Sequence, residues 1–254
     1  MKKIMSTVLM LLLFVSSHLG AVIVETSKLK SLYEYVDNDT VVVFDLDHTI
    51  IENEIDLDSW IPENITKLQE EGLSQNDAVQ YTLSMYYTLQ HFVTLHPIGG
   101  SKEIIENLQN HNIKVLALTN RSIPVLQTTI KQLKNKGIDF SRTSVSKKDL
   151  KLSVTHAGKF SQGIISAGAN DKGAMLFAYF NAIGYKPKKI VFVDDKIKYV
   201  ESVEKTAKNN NVDYVGIRLS LQDHKKKNIN FDQLKKQLYL VKTQIGLESL
   251  SKNL

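Results

Sequence analysis

Two carboxylates one residue apart, at the end of an apolar run, are the residues in this sequence best suited to chemistry. The run Val41–Phe44 leads directly into Asp45, Asp47 and Thr49. An uninterrupted apolar run of this kind is typical of a strand buried in a parallel sheet. Functional sites of open α/β sheets lie at the carboxyl ends of such strands. Two acids held together there are costly unless a cation or a substrate uses them, so we predict a functional site at this edge.

Three further segments carry polar residues at corresponding places. Thr119 ends a second apolar run, Lys172 stands at the start of a helical pattern, and the pair Asp194 and Asp195 ends a third apolar run. Taken singly, each has an ordinary structural explanation: a turn with solvated carboxylates, a satisfied strand-end hydroxyl, or a lysine in a surface salt bridge. Their occurrence as a series in this order favours one shared site.

The series resembles the haloacid dehalogenase-like superfamily of phosphatases and phosphotransferases. The Asp-x-Asp-x-Thr motif is matched at 45–49, and the Thr, Lys and acidic-pair motifs are matched by the residues just named. The resemblance covers about residues 40–219 and is specific at the motifs. The Asp-Leu-Asp-His-Thr opening, Gly-Ile-Ile at 163–165 and the Lys-Gly before a helix are similar to an uncharacterised exported bacterial branch, DUF2608. This narrower similarity implies little about substrate.

The resemblance implies a catalytic set with defined roles. Asp45 is implied to be the nucleophile, which forms an aspartyl-phosphate. Asp47 is implied to protonate the leaving oxygen and then to deprotonate the attacking water. Thr119 and Lys172 complete the catalytic residues, and together with Asn120 they are expected to bind the phosphoryl group of the substrate.

A magnesium ion is the expected cofactor. Mg²⁺ suits oxygen ligands from one or two carboxylates together with a substrate oxygen. The implied metal-binding residues are Asp45, Asp47 through its main-chain carbonyl, Asp194 and Asp195, and which member of the last pair binds the ion directly stays open. The absence of cysteine and of a compact histidine cluster argues against a zinc site.

The order of the elements predicts an α/β fold with a doubly wound parallel sheet, similar to the Rossmann-like core of the superfamily. Residues 52–96 have helical periodicity without a clear strand, and we expect a small helical cap that lies over Asp45, with some of Trp60, Tyr86 and Tyr87 facing the cleft. A β-hairpin excursion is expected at about 150–165, a short core strand within 138–148, and a final helix over 231–245.

The first 21 residues have the layout of a secretory signal. Lys2 and Lys3 precede a short apolar run, and small residues follow at its end. The remainder, 22–254, is then the hydrolase domain, without a transmembrane span, and the expected location is exported, either periplasmic or secreted from a bacterium. The formal charge of +5 falls to 5 − 2 = +3 when Lys2 and Lys3 are removed. We therefore expect no nucleic-acid partner.

The sequence thus predicts a magnesium-dependent phosphomonoester hydrolase that works through an aspartyl-phosphate on Asp45. Its partner is expected to be a small phosphorylated substrate, and the oligomeric state is left open. Dehalogenase chemistry is disfavoured because Asp47 and the acidic pair suit a phosphate site. The alternative is an exported binding or host-interaction protein that keeps the fold and has little or no turnover.

Overall fold

The computed structural model describes residues 20–54 and 57–224. The expected signal, apart from its last two residues, and the expected helix over 231–245 lie outside this part of the chain. The strands are β1 (Val22–Thr26), β2 (Thr40–Phe44), β3 (Ile51–Asn53), β4 (Leu95–Pro97), β5 (Lys114–Thr119), β6 (Leu150–Ser153), β7 (Ala157–Ser161), β8 (Ile164–Ser166), β9 (Lys189–Asp194) and β10 (Asp213–Leu219). The α-helices are α1 (Leu57–Glu70), α2 (Gln75–Gln90), α3 (Ser101–Asn110), α4 (Leu126–Asn135), α5 (Lys172–Ala182) and α6 (Ile197–Asn209), and 3₁₀ turns cover Leu29–Tyr35 and Ile123–Val125.

One eight-stranded sheet forms the centre of the fold. Its strand order is β1-β10-β9-β2-β5-β8-β7-β6, and every neighbouring pair from β1 to β8 is parallel. The central strands β2 and β9 are buried along their whole length. The predicted α/β class with a doubly wound parallel sheet is therefore confirmed.

Helices cover both faces of the sheet because the central strands are apolar at every position. In β2, Val42 and Phe44 pack into one core cluster, which includes side chains from α3 and α4. Val41 and Val43 point to the opposite face and pack with α5 and α6. Side chains alternate across a strand, so a strand buried on both faces needs a continuous apolar run rather than an alternating one.

The segment expected to be a β-hairpin excursion is part of the main sheet. β6 and β7 form the hairpin, and β7 continues antiparallel to β8, which pairs with β5. The expected strand within 138–148 is absent, since these described residues form turns and bends. Gly163, with φ of +84°, lies so close to the main chain that an added Cβ would meet the Phe140 carbonyl oxygen at 2.3 Å, so this loop supports the sheet without joining it.

A helical hairpin follows the Asp-x-Asp-x-Thr motif. β3 and β4 form a separate two-stranded antiparallel ribbon, and α1 and α2 lie between them in the chain. Ser74 caps α2 by accepting a hydrogen bond from the Asp77 N–H. Trp60 of α1 is 1% exposed and belongs to the same core cluster as Val42, so α1 is packed into the core.

Within residues 20–54 and 57–224, each helix is too short or too polar to cross a bilayer.

Candidate active site

The carboxyl ends of β2, β5 and β9 and the start of α5 bring the predicted site residues to one place. These three strands are consecutive neighbours in the sheet, so the residues that follow them meet at one edge. A cavity of about 150 Å³ opens there. It is lined by Asp45, Asp47, Tyr86, Thr119, Asn120, Arg121, Lys172, Asp195, Lys196 and Tyr199.

A buried lysine joins two of the carboxylates. The Lys172 Nζ donates to Asp45 Oδ1 at 2.5 Å and to Asp194 Oδ2 at 2.7 Å. Lys172 is 1% exposed and Asp194 is fully buried. Burial works to lower the pKa of Lys172, but the charges and hydrogen bonds of the two carboxylates outweigh it and raise the pKa above its ordinary value. The ammonium group therefore stays charged at neutral pH.

Local structure around the start of α5 fixes this lysine in place. Asp171 caps the helix by accepting a hydrogen bond from the Ala174 N–H at 2.8 Å, and it also accepts one from the Ser202 hydroxyl of α6. The Gly173 N–H donates to that same hydroxyl at 3.0 Å. An added Cβ at Gly173 would lie 2.4 Å from the Ser202 carbonyl oxygen, so glycine allows the close approach of α5 and α6 that aims Lys172 at the sheet edge.

Three carboxylates form a group able to hold a cation. Ligand atoms from Asp45, Asp194 and Asp195 all lie within 4.8 Å of one another. Thr49 connects the Asp-x-Asp-x-Thr motif to the acidic pair, because its hydroxyl donates to Asp45 at 3.1 Å and accepts from the Asp195 N–H at 3.0 Å. The Asp194 carboxylate also accepts from the Lys196 N–H, at 2.8 Å.

The three carboxylates of this group repel one another, because too little positive charge lies beside them. Burial and then the charge of Asp45 raise the pKa of Asp194, although Lys172 opposes the increase. The pKa of Asp195 is raised by the same two causes in the same order. A divalent cation would relieve this repulsion, and carboxylate oxygens are ligands that Mg²⁺ prefers. The donor set therefore fits the expected ion.

Asp47 lies apart from this group and is paired with an arginine. Arg121 Nε donates to Asp47 Oδ2 at 2.8 Å, and a terminal nitrogen donates to Oδ1 at 2.7 Å. The Arg121 side chain is 2% exposed, whereas that of Asp47 is 23% exposed. Burial works to lower the pKa of Arg121, but the charge of Asp47 and its hydrogen bonds raise it. Both oxygens of the predicted acid–base residue are thus occupied by one buried cation.

The other predicted binding residues come from the end of β5. The Thr119 hydroxyl accepts from the Arg121 N–H at 3.1 Å and lines the cavity. The Asn120 side-chain amide donates to the Gly168 carbonyl at 2.6 Å, which fixes its orientation. The amide also approaches the Asn170 carbonyl at 3.4 Å. Within the described part of the chain the buried Asn120 Oδ1 atom accepts no hydrogen bond.

The seven residues predicted to be catalytic, substrate-binding or metal-binding lie at this cavity or at the carboxylate group beside it. Their catalytic, substrate-binding and metal-binding roles stay predictions. Among the residues proposed to face the cleft from the helical hairpin, Tyr86 lines the cavity, Trp60 is buried in the core, and Tyr87 is 39% exposed.

Three cavity residues, Arg121, Lys196 and Tyr199, were not among the predicted site residues. Lys196 follows the acidic pair directly, and Tyr199 lies one turn further on, where its ring centroid is 4.5 Å from the Lys172 Nζ. Position after a strand end was an available signal for Lys196 and Arg121. The spacing of Tyr199 indicated only that it lies on a helix.

Comparison with known proteins gives a family and distant relatives. The family described as "Protein of unknown function (DUF2608)" matches residues 25–253. A protein of Chlamydia trachomatis named "Putative outer membrane protein" is 22% identical over 186 residues, which cover 72% of this chain and 70% of that protein.

Solved structures with a similar fold are hydrolases of the haloacid dehalogenase-like superfamily. One from Ehrlichia chaffeensis is 14% identical with a TM-score of 0.44, covering 79% of this chain and 97% of that chain. Another, from Streptococcus pneumoniae, is 15% identical with a TM-score of 0.43, covering 70% and 93%.

Proposed function

Since the chain belongs to the DUF2608 family, whose description names no reaction, we propose a function from the site itself: hydrolysis of phosphate monoesters through an aspartyl-phosphate on Asp45. The observation that carries the proposal is the buried Lys172, which bridges Asp45 and Asp194 beside Asp195. A purely structural ion pair needs one carboxylate for one lysine. Two carboxylates paired with one buried lysine, with a third carboxylate within 4.8 Å of both, suit a nucleophile and a cation site instead.

Asp45 is the nucleophile of this proposal. It lies at the cavity and is 6% exposed, and its two oxygens are oriented by Lys172 and by the Thr49 hydroxyl. Holding a reacting group in one orientation lowers the entropic part of the barrier. A carboxylate oxygen held in this way can attack a phosphorus atom placed in the cavity.

The phosphoryl oxygens are bound by donors on the other sides of the cavity. Lys172 provides positive charge, and the Thr119 hydroxyl is in place to donate to the group. Asn120 lines the same cavity, but its amide hydrogens are directed at the Gly168 and Asn170 carbonyls. Phosphoryl transfer depends mainly on such positioning and on compensation of the negative charge. Asp47 is the acid–base residue of the proposal because it lines the same cavity two residues after the nucleophile.

Asp45, Asp194 and Asp195 are the residues that would hold Mg²⁺. When bound, the ion supplies charge compensation for a nucleophile and a phosphate that are both anionic. Among the described residues, Lys172 is the buried lysine paired with these acids, and one cation does not balance three carboxylates, so we expect activity to require a divalent cation.

We place the protein outside the cytoplasm of a bacterium. This proposal is supported by the basic start and apolar run of residues 1–21, and by the name of the chlamydial relative. Fractionation of cells that express the full chain, with N-terminal sequencing of the product, tests it. A full-length product confined to the cytoplasm would contradict it.

The test of the function is hydrolysis of 4-nitrophenyl phosphate with Mg²⁺ and with a chelator. Wild-type protein should be active only with the cation, and Asp45→Asn should be inactive. Asp149→Asn is the matched control, because it removes a carboxylate of the hairpin that pairs with Lys159 and not with the site. Equal, metal-independent rates for wild type and Asp45→Asn would reject the proposal. Bound Mg²⁺ without turnover on a broad phosphate panel would favour the alternative of a binding protein.

A further inference from the structure

The aromatic ring of Tyr199 forms part of the cavity wall and lies over the buried lysine. The distance from its centroid to the Lys172 Nζ is 4.5 Å. A second ring, that of Phe192 on β9, lies 5.9 Å from the same nitrogen. A cation within about 6 Å of an aromatic centroid is attracted by the negative face of the ring, most strongly where water is excluded. Lys172 is 1% exposed, so water is excluded here.

The Tyr199 ring covers a side of the ammonium group that the carboxylates leave open. The Lys172 Nζ donates to Asp45 at 2.5 Å and to Asp194 at 2.7 Å, and these bonds use two of its three hydrogens. Lysine carries its charge on a flexible four-carbon stem, so these bonds do not by themselves stop the group from turning toward the cavity. The ring closes that direction because it lines the cavity itself.

The position of Tyr199 follows from the way α6 packs against α5. Tyr199 stands three residues before Ser202, so both side chains lie on the same face of α6. Ser202 contacts the start of α5, because its hydroxyl accepts from the Gly173 N–H at 3.0 Å. Gly173 follows Lys172 directly in the chain. The contact between the two helices therefore brings the ring and the ammonium group together.

Main-chain hydrogen bonds fix the first turn of α6. The Tyr214 hydroxyl of β10 donates to the Val200 carbonyl at 2.7 Å. The Lys196 N–H donates to the Asp194 carboxylate at 2.8 Å, and the Tyr199 N–H donates to the Lys196 carbonyl at 3.0 Å. Tyr199 is thus held from both sides, so its ring can serve as a rigid surface for the lysine.

We propose that Tyr199 is a positioning residue, whose ring face confines the Lys172 ammonium group to the point between Asp45 and Asp194. It acts through the lysine and does not contact the leaving group of the substrate. The inference rests on the proposed function, because the lysine orients the carboxylate that attacks phosphorus. Without the ring the ammonium group turns away, and Asp45 loses the partner that fixes one of its oxygens. Loss of a fixed geometry lowers the rate of the chemical step.

The experiment compares wild type, Tyr199→Leu and Tyr199→Phe by kcat/KM with saturating Mg²⁺, on 4-nitrophenyl phosphate and on acetyl phosphate. Leucine is apolar but has no ring, so kcat/KM should fall at least about tenfold, an effect of the size of a cation–π contact shielded from water. Phenylalanine keeps the ring face and should restore most of this loss. Because acetyl phosphate has no aromatic leaving group, the two substrates should be affected by the same factor.

Nuclear magnetic resonance of lysine-labelled protein measures the contact without turnover. Protons that lie over the face of an aromatic ring are shifted upfield by its ring current. The signal of the Lys172 ε-methylene, identified by its loss in Lys172→Met, should be shifted upfield in wild type and in Tyr199→Phe. In Tyr199→Leu it should move toward the position of ordinary lysines. A wild-type signal at the ordinary position would overturn the inference.

Tyr185→Leu is the matched control. Like Tyr199, it is half-buried against the core cluster between the sheet and α5 and α6, but its ring packs on Phe180, at the far end of α5 from Lys172. Both rates and the Lys172 signal should match wild type, because this change removes a ring without altering the surroundings of the lysine. A loss as large as that in Tyr199→Leu would show general damage to packing and would overturn the inference.

Three kinetic results for the Tyr199 variants would also overturn it. These are a rate in Tyr199→Leu equal to wild type, an equal loss in Tyr199→Phe, which would assign the effect to the hydroxyl, and a loss confined to 4-nitrophenyl phosphate, which would show contact with the leaving group. If Tyr199→Leu does not fold, Tyr199→Met takes its place, since methionine adapts to irregular spaces. No turnover of either compound by wild type would reject the proposed function and the catalytic role of Tyr199 with it, while the Lys172 signal would still show whether the contact exists.

Discussion

Replacing Lys172 with methionine removes the cation that Asp45 and Asp194 share. The lysine is 1% exposed and lies 2.5 and 2.7 Å from the two carboxylates. Removing one partner of a buried ion pair costs about 3–5 kcal/mol because it leaves a buried charge without compensation. Two carboxylates lose their partner here, although protonation of Asp194, whose pKa is raised by burial, would relieve part of the cost. We expect the free energy of unfolding to fall by about 3–5 kcal/mol in the absence of metal.

Urea unfolding with a chelator near neutral pH measures this loss, and a magnesium titration adds a second measurement. A ligand stabilises a protein by RT ln(1 + [L]/Kd) when it binds only the folded state. The variant should gain more stability from Mg²⁺ than wild type does, because its carboxylates are less compensated. Hydrolysis should stay low even with saturating Mg²⁺, since the lysine that holds the phosphoryl group is gone.

Lys188→Met is the matched control for this experiment. Lys188 pairs with Asp39 at 2.9 Å, but both side chains are exposed, so its unfolding midpoint should match that of wild type. A loss below about 1 kcal/mol in Lys172→Met would refute the reasoning, because that is the range of an exposed pair. Equal stabilisation of wild type and variant by Mg²⁺ would show that the ion does not bind beside Lys172.

Three further predictions concern the start of α5, the helical hairpin and the far end of the sheet. Gly173→Ala places a Cβ 2.4 Å from a main-chain carbonyl of α6, so stability should fall by about 1–3 kcal/mol, measured by urea unfolding, and hydrolysis should fall with it. Tyr86→Ala should change kcat/KM ratios between small and large aryl phosphates, whereas the exposed neighbour Tyr87→Ala should not, and equal effects would exclude a role for the hairpin in selectivity. Burial works to raise the pKa of Asp37, but hydrogen bonds, first from Lys189, lower it, so Asp37→Asn should be less stable than wild type at neutral pH. Because the folded pKa is depressed, that difference should shrink as pH falls below about 4, and urea unfolding at several pH values that gave a constant difference would contradict it.

The site residues that stand at the ends of strands were predictable from sequence, because strand order and strand ends determine where they lie. Continuous apolar runs at β2, β5 and β9 indicate strands buried on both faces, and parallel strands bring their carboxyl ends to one edge. Asp45, Thr119 and Asp194 follow from this rule alone. Lys172 follows from a helix start, which must lie near a strand end in a doubly wound fold.

Other features depend on contacts between distant segments, which local patterns do not contain. The expected strand within 138–148 was wrong: β8 occupies the place beside β5, and the local sequence of 138–148 does not contain that information. The hairpin residues have ordinary strand patterns, and only pairing with β8 places them in the main sheet. The spacing of Trp60 places it on a helix but does not show whether its side chain faces the cleft or the core. In the structure it is buried in the core.

Arg121 shows the limit most clearly. Its position directly after Thr119 does not show its partners, and 74 residues separate it from Asp47 in the chain. In the structure Asp47, Asn53 and Thr129 all present acceptors to one guanidinium group. This network arises only when the fold brings the three acceptors together around one cation.

Charge and size at the cavity together indicate how the site can discriminate between substrates. The formal charge of the site is 3 − 4 = −1. The four carboxylates are Asp45, Asp47, Asp194 and Asp195, and the three cations are Arg121, Lys172 and Lys196. A phosphate dianion is repelled by such a site until a divalent ion changes the sum to −1 + 2 = +1.

The cavity of about 150 Å³ is small beside typical ligand pockets of about 300–1,000 Å³, so it has room for a phosphoryl group and little more. The leaving group must then lie largely outside it, and Tyr86 is the residue of the helical hairpin placed to contact it there. Selection between leaving groups is therefore expected to depend on this side chain more than on the residues around the phosphoryl group.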